Sequence, residues 1–478
     1  MRTKPTILMH PGIPAAERDR QLALFTQGVA PTRLERACSP GDGILQLERP
    51  EDWAAIYRQA AVDVVKFVPA SGAASRMFKH VFDYPDNAQD PLIKELLVRF
   101  HELPFYPVLK ARMEAQGQLL DEWINTGRWE EVLDAMVGPH GLGYGRLPKG
   151  LVHFHASEDQ VLTAFEEHLF EGLQYAQKNG QVRIHFTVPS AHLKAIETHV
   201  AERVNGLSKQ PAFDISYSVQ FPHTDTVCVD LNNALVTDEN GQPLHRPGGH
   251  GALIHNLAQV DADVIFIKNI DNVQPAHLRT DTVLYKEALA GMLLEIKGLF
   301  DQALRDDAPS DQALEWLARM GHDVEALDAT GLRKAMDRPL RICGMVRNEG
   351  EPGGGPFWVR QPSGAVTAQI VEKAQIDTSD PTQVALVSDA THFNPVDLVC
   401  STRRCTGNPH TLTDFVDPQT SFITQKFIGG RPVKALEHPG LWNGAMAGWN
   451  TVFVEVPITT FSPVKTVNDL LRAQHQPH

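Results

Sequence analysis

The segment from Val64 to Met77 joins an apolar run to a loop of small residues that leads to a single arginine. Its first half, Val64–Val68, is rich in valine, and this pattern predicts a strand inside a sheet. A loop of small residues lets the backbone approach a ligand, so that its amides can hydrogen-bond phosphate oxygens. Arg76 adds a planar cation that suits a polyphosphate. The loop residues with this predicted role are Ser71, Gly72 and Ala73.

Predicted strands alternate with predicted helices along much of the chain. The later runs of strand length include Gly150–His155, Val182–Val188, Phe213–Val219, Ala262–Lys268, Leu340–Val346, Ala368–Val371 and Val384–Val387. A long amphipathic helix is expected at Asp159–Asn179. The alternation predicts an α/β fold with a mostly parallel, Rossmann-like central sheet. In open sheets of this kind the ligand crevice lies at the carboxyl ends of the strands, where the loop after Val68 is expected.

Three regions are expected along the chain. Residues 1–61 are predicted to form a helical segment, residues 62–400 an α/β domain, and residues 401–478 a small α/β segment that closes the site. Within the α/β domain, helical insertions are expected at about 85–138 and 281–335.

Composition and charge exclude several classes of function. The chain of 478 residues carries a net charge of −14, and nucleic-acid binding depends on basic residues, so no nucleic-acid partner is expected. No apolar run of about 18 residues and no signal-peptide pattern occurs, so no membrane association is expected. The five cysteines form no CxxC pair, which favours reduced thiols and a cytoplasmic location. The 21 histidines lack the paired spacing of a structural zinc site.

Two further patches carry residues suited to binding a nucleotide. Lys149 follows Pro148 at the entrance to a predicted strand and offers a fixed ammonium group. A loop with three glycines opens a helix and can present its backbone amides to a base or a sugar. The central residues of that loop are Gly249, His250 and Gly251.

Two more patches are suited to binding a metal and phosphates. A predicted buried strand ends in Asn269-Ile270-Asp271-Asn272, which offers a carboxylate and two amides to a divalent cation. Lys465 lies in an extended segment that Pro457 and Pro463 stiffen.

Taken in order, these motifs resemble those of the UDP-sugar pyrophosphorylases, a branch of the sugar nucleotidyltransferases with a GT-A-type fold. The order and residue types agree over most of residues 62–472. The matching motifs are the loop with Arg76, Pro148-Lys149, Pro247-Gly248-Gly249-His250-Gly251, Asn269-Ile270-Asp271-Asn272 and Val456-Pro457 through Lys465-Thr466. The whole chain also resembles an uncharacterised bacterial family marked by the Phe-Val-Pro-Ala-Ser-Gly-Ala-Ala loop, domain of unknown function 4301.

The resemblance implies a Mg²⁺-dependent enzyme that joins a sugar 1-phosphate to a nucleoside triphosphate, expected to be UTP, and releases pyrophosphate. The implied catalytic residues are Arg76, Lys149 and Lys465, and the implied metal ligands are Asp271 and Asp397. Nucleotide contacts are implied for Ser71, Gly72, Ala73, Gln220, Gly249, His250 and Gly251. Sugar contacts are implied for Asn269, Asn348, Glu349, Glu372 and Asn394.

Departures from the family pattern leave alternatives open. Ala73 and Ala74 stand where the family has glycine, so one alternative is a nucleotide-sugar sensor without catalysis. Roughly 70 residues separate Arg76 from Lys149, far more than in the family. This insertion is a lid or a specificity domain, or the match at Lys149 is accidental. The other alternative is a glycosyltransferase on the same fold, for which Asn269-Ile270-Asp271 partly matches a metal-binding Asp-x-Asp.

Overall fold

The computed structural model describes residues 12–157, 159–207, 211–350, 353–361, 364–428 and 430–477. Its strands, in chain order, are β1 Leu34–Ala37, β2 Ser39–Pro40, β3 Gly43–Leu45, β4 Val64–Pro69, β5 His153–Ala156, β6 Val161–Thr163, β7 Gln177–Lys178, β8 Gln181–Thr187, β9 Ala212–Ser218, β10 Asp225–Val229, β11 His245–Pro247, β12 Val264–Lys268, β13 Leu340–Arg347, β14 Gly355–Arg360, β15 Val366–Val371, β16 His392–Ser401, β17 Phe422–Ile428, β18 Arg431–Glu437 and β19 Asn450–Glu455.

The helices of the same residues alternate with these strands. In chain order they are α1 Ala15–Gln27, α2 Pro50–Gln59, α3 Lys79–Phe82, α4 Pro91–Val98, α5 Tyr106–Glu114, α6 Leu120–Asn125, α7 Trp129–Val137, α8 Ala164–Tyr175, α9 Leu193–Gly206, α10 Ile254–Leu257, α11 Arg279–Asp306, α12 Asp311–Arg319, α13 Ala329–Met336 and α14 Pro381–Ser388.

The chain divides into two compact units. Unit 1 comprises Met1–Gln59, Val219–Ile265 and Ala288–Val456. In it, β2, β3, β19 and β13 are successive parallel neighbours, and β13 pairs antiparallel with β16. Two further sheets of unit 1 are antiparallel, with the strand orders β1-β14-β15 and β11-β10-β18-β17.

Unit 2 comprises Ala60–Ser218, Phe266–Glu287 and Pro457–His478. Its strands β4, β8 and β9 are parallel neighbours, and β4 is buried along its whole length. Helix α8 packs closely on β8 because Gly172 has no side chain: a Cβ there would lie 2.9 Å from Cδ1 of Ile184. Phe165 of α8 meets Phe186 of β8 edge-on, with ring centroids 5.0 Å apart. These contacts fix the position of β8, the parallel neighbour of the strand that precedes the small-residue loop.

One predicted strand is wrong. Val384–Val387 belongs to helix α14, not to an extended segment. Asp380 caps this helix by accepting a hydrogen bond from the Thr382 amide, and Pro381 occupies its first turn, where proline is favoured. These start signals outweigh the strand preference of the valines that follow.

Three other predictions have different bounds in the structure. The predicted strand Gly150–His155 begins only at His153, because Lys149–Leu151 form a 3₁₀ turn. The predicted helix Asp159–Asn179 begins at Ala164, where Thr163 and Glu166 cap each other's backbone amides. The N-terminal segment predicted to be helical contains α1 and α2, but β1, β2 and β3 lie between them.

The fold is a mixed α/β fold, as predicted, and the parallel neighbours in each unit support the Rossmann-like sheet in part. Among the described residues, no helix combines the length and the apolar character that crossing a membrane requires.

Candidate active site

The loop after β4 pairs through its backbone with the segment that carries Lys149. The Lys149 amide donates to the Gly72 carbonyl at 2.9 Å, and the Ala74 amide donates to the Leu147 carbonyl at 3.1 Å. Ala73 and Pro148 form an antiparallel bridge between these two bonds. Helices α3 to α7 therefore lie in an insertion between two chain segments that pair side by side. The long insertion does not separate Lys149 from the loop.

The loop itself is open to solvent. Ser71, Gly72 and Ala73 are exposed, and a Cβ built on Gly72 meets no heavy atom within 4 Å. Arg76 ends a short 3₁₀ turn after the loop and is also exposed. The predicted phosphate-binding groups are thus accessible to a ligand.

Asp271, just after β12, receives both predicted catalytic lysines. The Lys149 ammonium donates to Oδ2 of Asp271 at 2.9 Å, and the Lys465 ammonium donates to the same oxygen at 3.0 Å. The side chains of Lys149 and Asp271 are 11% and 13% exposed, whereas that of Lys465 is 48% exposed. A ligand that enters from solvent therefore meets Lys465 before it meets Lys149.

The charges of this cluster shift its pKa values. Burial acts to raise the pKa of Asp271, but the ammonium groups of Lys149 and Lys465 outweigh it and lower the pKa to about 2. Burial lowers the pKa of Lys149 from its ordinary value, against the attraction of Asp271, and the repulsion from Lys465 adds to the lowering. Asp271 is therefore a firmly ionised carboxylate with two cationic partners.

The C-terminal segment reaches Asp271 through its backbone. Pro463 and Asn272 form an antiparallel bridge, and the Val464 amide donates to the Asp271 carbonyl at 2.9 Å. The side chain of Asn272 accepts a hydrogen bond from the Ser462 amide at 3.0 Å. Pro463 thus pairs with Asn272, and Lys465, whose segment it was predicted to stiffen, follows two residues later.

A buried ion network lies in the strands that lead to this cluster. Lys66 of β4 and Lys268 of β12 each donate to the Glu171 carboxylate of α8, at 3.0 and 2.8 Å. All three side chains are fully buried. Burial is the largest effect on Lys66 and, despite Glu171, lowers its pKa to about 7. The sequence analysis missed this network, although a lysine in the middle of the apolar run Val64–Val68 is a signal for a buried carboxylate partner.

In unit 1, the predicted nucleotide residue His250 meets the predicted sugar residue Glu372. His250 Nε2 lies 3.6 Å from Glu372 Oε1, and its ring stacks on Trp442 with centroids 4.2 Å apart. The Leu441 amide donates to Nδ1 of His250 at 3.0 Å, and Asn443 donates to Glu372 at 2.8 Å. Burial acts to raise the pKa of Glu372, but His250 and Asn443 outweigh it and lower the pKa.

Backbone conformation and close packing favour glycine on both sides of His250. Gly249 has a φ of +81°, which favours glycine. A Cβ on Gly251 would lie 2.1 Å from the Pro439 carbonyl oxygen. Backbone conformation and packing therefore account for both glycines.

The predicted residues of β16 lie at an irregularity of that strand. The pairing of β13 with β16 shifts register between Gly344 and Val346, and Val396 has a φ of +59°, which is rare for a β-branched residue. The Asn394 side chain accepts a hydrogen bond from the Val396 amide at 3.1 Å. Asp397, the residue after Val396, is buried. Strain of this kind is often held at functional sites.

The remaining predicted residues are Gln220, Asn348, Glu349 and Asn269. Gln220 of unit 1 donates to Asp225 at 3.4 Å. Asn348 and Glu349 are exposed after β13, and the Asn348 side chain accepts a hydrogen bond from the Gly350 amide at 2.9 Å. Asn269 of unit 2 is half-buried between β12 and Asp271.

Asp271 offers a single carboxylate, whose Oδ2 accepts hydrogen bonds from both lysines. A carboxylate oxygen is a ligand that Mg²⁺ prefers, and this ion often binds through one or two carboxylates plus substrate phosphates. Among the described residues, no group of three or more His, Cys, Asp or Glu side chains forms a complete metal site. A metal at Asp271 would therefore need further ligands, such as substrate phosphates.

Two solved structures are similar to this chain over most of its length. A mutant of the UDP-glucose pyrophosphorylase from Leishmania major is 12% identical, with a TM-score of 0.45, over 95% of this chain and 73% of that chain. The UDP-glucose phosphorylase from Trypanosoma brucei is 14% identical, with a TM-score of 0.45, over 96% of this chain and 76% of that chain. A search of curated proteins gives no significant match.

A family model matches nearly the whole chain, from residue 3 to residue 476, and its description is "Domain of unknown function (DUF4301)". The match agrees with the resemblance seen in the Phe67–Ala74 loop. The chain therefore belongs to the DUF4301 family.

Proposed function

We propose that this protein is a sugar-1-phosphate nucleotidyltransferase that depends on Mg²⁺ and uses UTP. The observation that carries the proposal is the meeting of Lys149 and Lys465 on Asp271, next to the exposed loop at Gly72. Four chain segments supply these groups, in the order that the motifs of the UDP-sugar pyrophosphorylases imply.

In the proposed reaction, an oxygen of the sugar 1-phosphate attacks the α-phosphorus of the triphosphate. A new P–O bond forms, the bond to the β-phosphate oxygen breaks, and pyrophosphate leaves. The attacking oxygen is already an anion, so no general base is required. The protein must neutralise charge and hold the partners in line.

The proposed roles of the residues in unit 2 follow from their charge and exposure. The loop amides at Ser71, Gly72 and Ala73, together with Arg76, hold the triphosphate. Lys149 and Lys465 stabilise the charge that develops at the transferred phosphoryl group. Asp271 holds both ammonium groups near the reacting atoms and is the proposed ligand of Mg²⁺, which when bound neutralises phosphate charge.

The residues of unit 1 are proposed to select the substrates. Base and ribose contacts are assigned to Gln220, Gly249, His250 and Gly251, and sugar contacts to Asn348, Glu349, Glu372 and Asn394, with Asn269 of unit 2. Asp397 is proposed as a metal ligand. The contact between His250 and Glu372 supports a shared role, because one side chain fixes the orientation of the other.

Pyrophosphate release by the purified full-length protein tests the proposal. The four nucleoside triphosphates are combined with a set of sugar 1-phosphates in the presence of Mg²⁺, and products are identified by mass spectrometry. We expect pyrophosphate and a nucleoside-diphosphate sugar with UTP and one sugar 1-phosphate. A variant with both Lys149→Ala and Lys465→Ala is the control for contaminating activity.

Two outcomes contradict the proposal and identify an alternative. Binding of a nucleotide sugar in calorimetry without pyrophosphate release indicates a sensor. Transfer of the sugar from a nucleotide sugar to an acceptor, with release of the nucleoside diphosphate, indicates a glycosyltransferase.

A further inference from the structure

The turn that follows Lys465 is attached to the helical insertion. Asn468 is 8% exposed, and its Nδ2 donates to the Leu92 carbonyl at 2.9 Å and to Glu95 Oε2 at 3.0 Å. Both acceptors belong to α4. Arg99, just after α4, donates to the Leu471 carbonyl at 2.6 Å. The insertion thus holds the turn Val467–Leu471 at two points.

Asp469, the next residue of this turn, fixes the backbone of Lys465. Asp469 Oδ2 accepts hydrogen bonds from the amides of Lys465 and Thr466, both at 2.7 Å, and from the Thr466 hydroxyl at 3.2 Å. Its other oxygen pairs with Arg472 at 2.9 Å, and the residue is 6% exposed. A buried carboxylate that accepts several N–H groups is a strong, directional anchor.

These bonds form one chain of contacts from the insertion to Asp271. Helix α4 holds Asn468, the neighbouring Asp469 holds the backbone of Lys465, and the Lys465 ammonium reaches Asp271. Lysine has a long, flexible side chain, so the position of its ammonium depends on a fixed backbone.

The interior of the insertion contains buried aromatic residues that pack on one another. Phe100, Phe105 and Tyr144 are fully buried or nearly so, and the ring of Tyr144 packs against Phe105 and Phe78. A mobile lid has few buried apolar contacts, because it must open at low cost in free energy. The insertion instead contains these buried, packed aromatic residues.

We propose that the insertion between Arg76 and Lys149 is a structural support that positions Lys465, and that Asn468 and Asp469 are the positioning residues. The proposal rests on the function proposed above, because it assigns Lys465 to the transfer step. It replaces the lid and the specificity domain as the role of the insertion.

The test measures pyrophosphate release by full-length variants. Asn468→Ala and Asp469→Ala are each made alone and in the Lys465→Ala background. Gln116→Ala is the matched control, because the Gln116 amide also donates to a backbone carbonyl of the insertion, that of His140, at 2.9 Å. Thermal unfolding checks that every variant is folded.

We expect each positioning variant to lower kcat about tenfold, with a smaller change in KM, since misplacement of one charge affects mainly the transition state. Neither variant should lower kcat further in the Lys465→Ala background. Asp469→Asn keeps a carbonyl acceptor and should recover part of the loss. Gln116→Ala should match the unmodified protein.

Several results overturn the positioning role. Losses that add to that of Lys465→Ala, or an equal loss from Gln116→Ala, indicate a general effect on folding. A change in KM for the sugar phosphate alone indicates a specificity domain.

Amide hydrogen exchange separates this proposal from the proposed function. Asn468→Ala should speed exchange at the amides of Lys465 and Thr466, whether or not the protein transfers nucleotides. Unchanged exchange at these two amides overturns the proposal that the insertion positions Lys465. Faster exchange together with full activity of Lys465→Ala supports the positioning of Lys465 by the insertion. The same result contradicts the catalytic role of Lys465.

Discussion

Lys149 and Lys465 donate to the same oxygen of Asp271, although they lie 122 and 194 residues from it in the chain. Two ammonium groups on one carboxylate leave a local excess of positive charge in a chain whose net charge is −14. Such an excess attracts a polyanion when it is gathered in one place.

Lys465→Ala should lower kcat by about 10²- to 10³-fold and raise KM for the triphosphate less, because the interaction strengthens in the transition state. Steady-state rates of pyrophosphate release check this. Lys465→Arg should recover only part of the rate, since a planar guanidinium replaces a compact ammonium group poorly. Lys110→Ala is the control, because Lys110 pairs with Asp121 in the insertion. Unchanged kinetics in Lys465→Ala would remove this residue from the site.

Asp271→Asn should abolish most of the activity, because the amide keeps the shape but lacks the negative charge that Mg²⁺ and both lysines require. Titration with Mg²⁺ should show a raised requirement for the ion, and excess Mg²⁺ should restore part of the rate. If the Mg²⁺ dependence is the same as that of the unmodified protein, the metal binds elsewhere, and Asp397→Asn is the next variant to examine.

Gly72→Ala should leave the free energy of unfolding within about 0.5 kcal/mol of the unmodified value, because the added Cβ meets nothing within 4 Å. It should nevertheless raise KM for the triphosphate, since a methyl group keeps phosphates away from the loop amides. Urea unfolding and initial rates measure the two effects. A variant with unchanged stability and unchanged KM would show that the ligand does not approach this loop.

Lys66→Met should remove a pH dependence of stability. Burial lowers the pKa of Lys66 to about 7 from its ordinary value of 10.5, so between these values the unfolded chain binds more protons than the folded chain. The free energy of unfolding that Lys66 contributes therefore rises with pH in this window, by at most about 1.4 kcal/mol per pH unit, and the gain is lost as pH falls to 7.

Urea unfolding at several pH values between 7 and 10 measures this contribution as the difference between the unmodified protein and Lys66→Met. The difference should grow with pH in favour of the unmodified protein. Lys334→Met, at an exposed position, is the control. A difference that stays constant with pH would mean that Lys66 keeps an ordinary pKa next to Glu171.

Local pattern was sufficient for much of the fold. The valine-rich run at Val64 and the apolar run that ends at Lys268 are strands because buried strands need continuous apolar, β-branched residues. The pattern was misleading at Val384–Val387, where the helix start signals at Asp380 and Pro381 outweigh the strand preference of two valines. The division of the chain at residues 61 and 400 stays a prediction.

The sequence by itself determined which residue types stand at the ends of strands, and hence the small-residue loop, the carboxylate of Asp271 and the two lysines. Only the tertiary structure decided that Lys149 lies beside Gly72 despite the insertion, and that Asn468 and Asp469 hold the turn after Lys465. The physical reason is that strand and helix signals are local and periodic, whereas these contacts join segments far apart in the chain. Long-range contacts of this kind depend on how whole helices and strands pack, and no short motif records them.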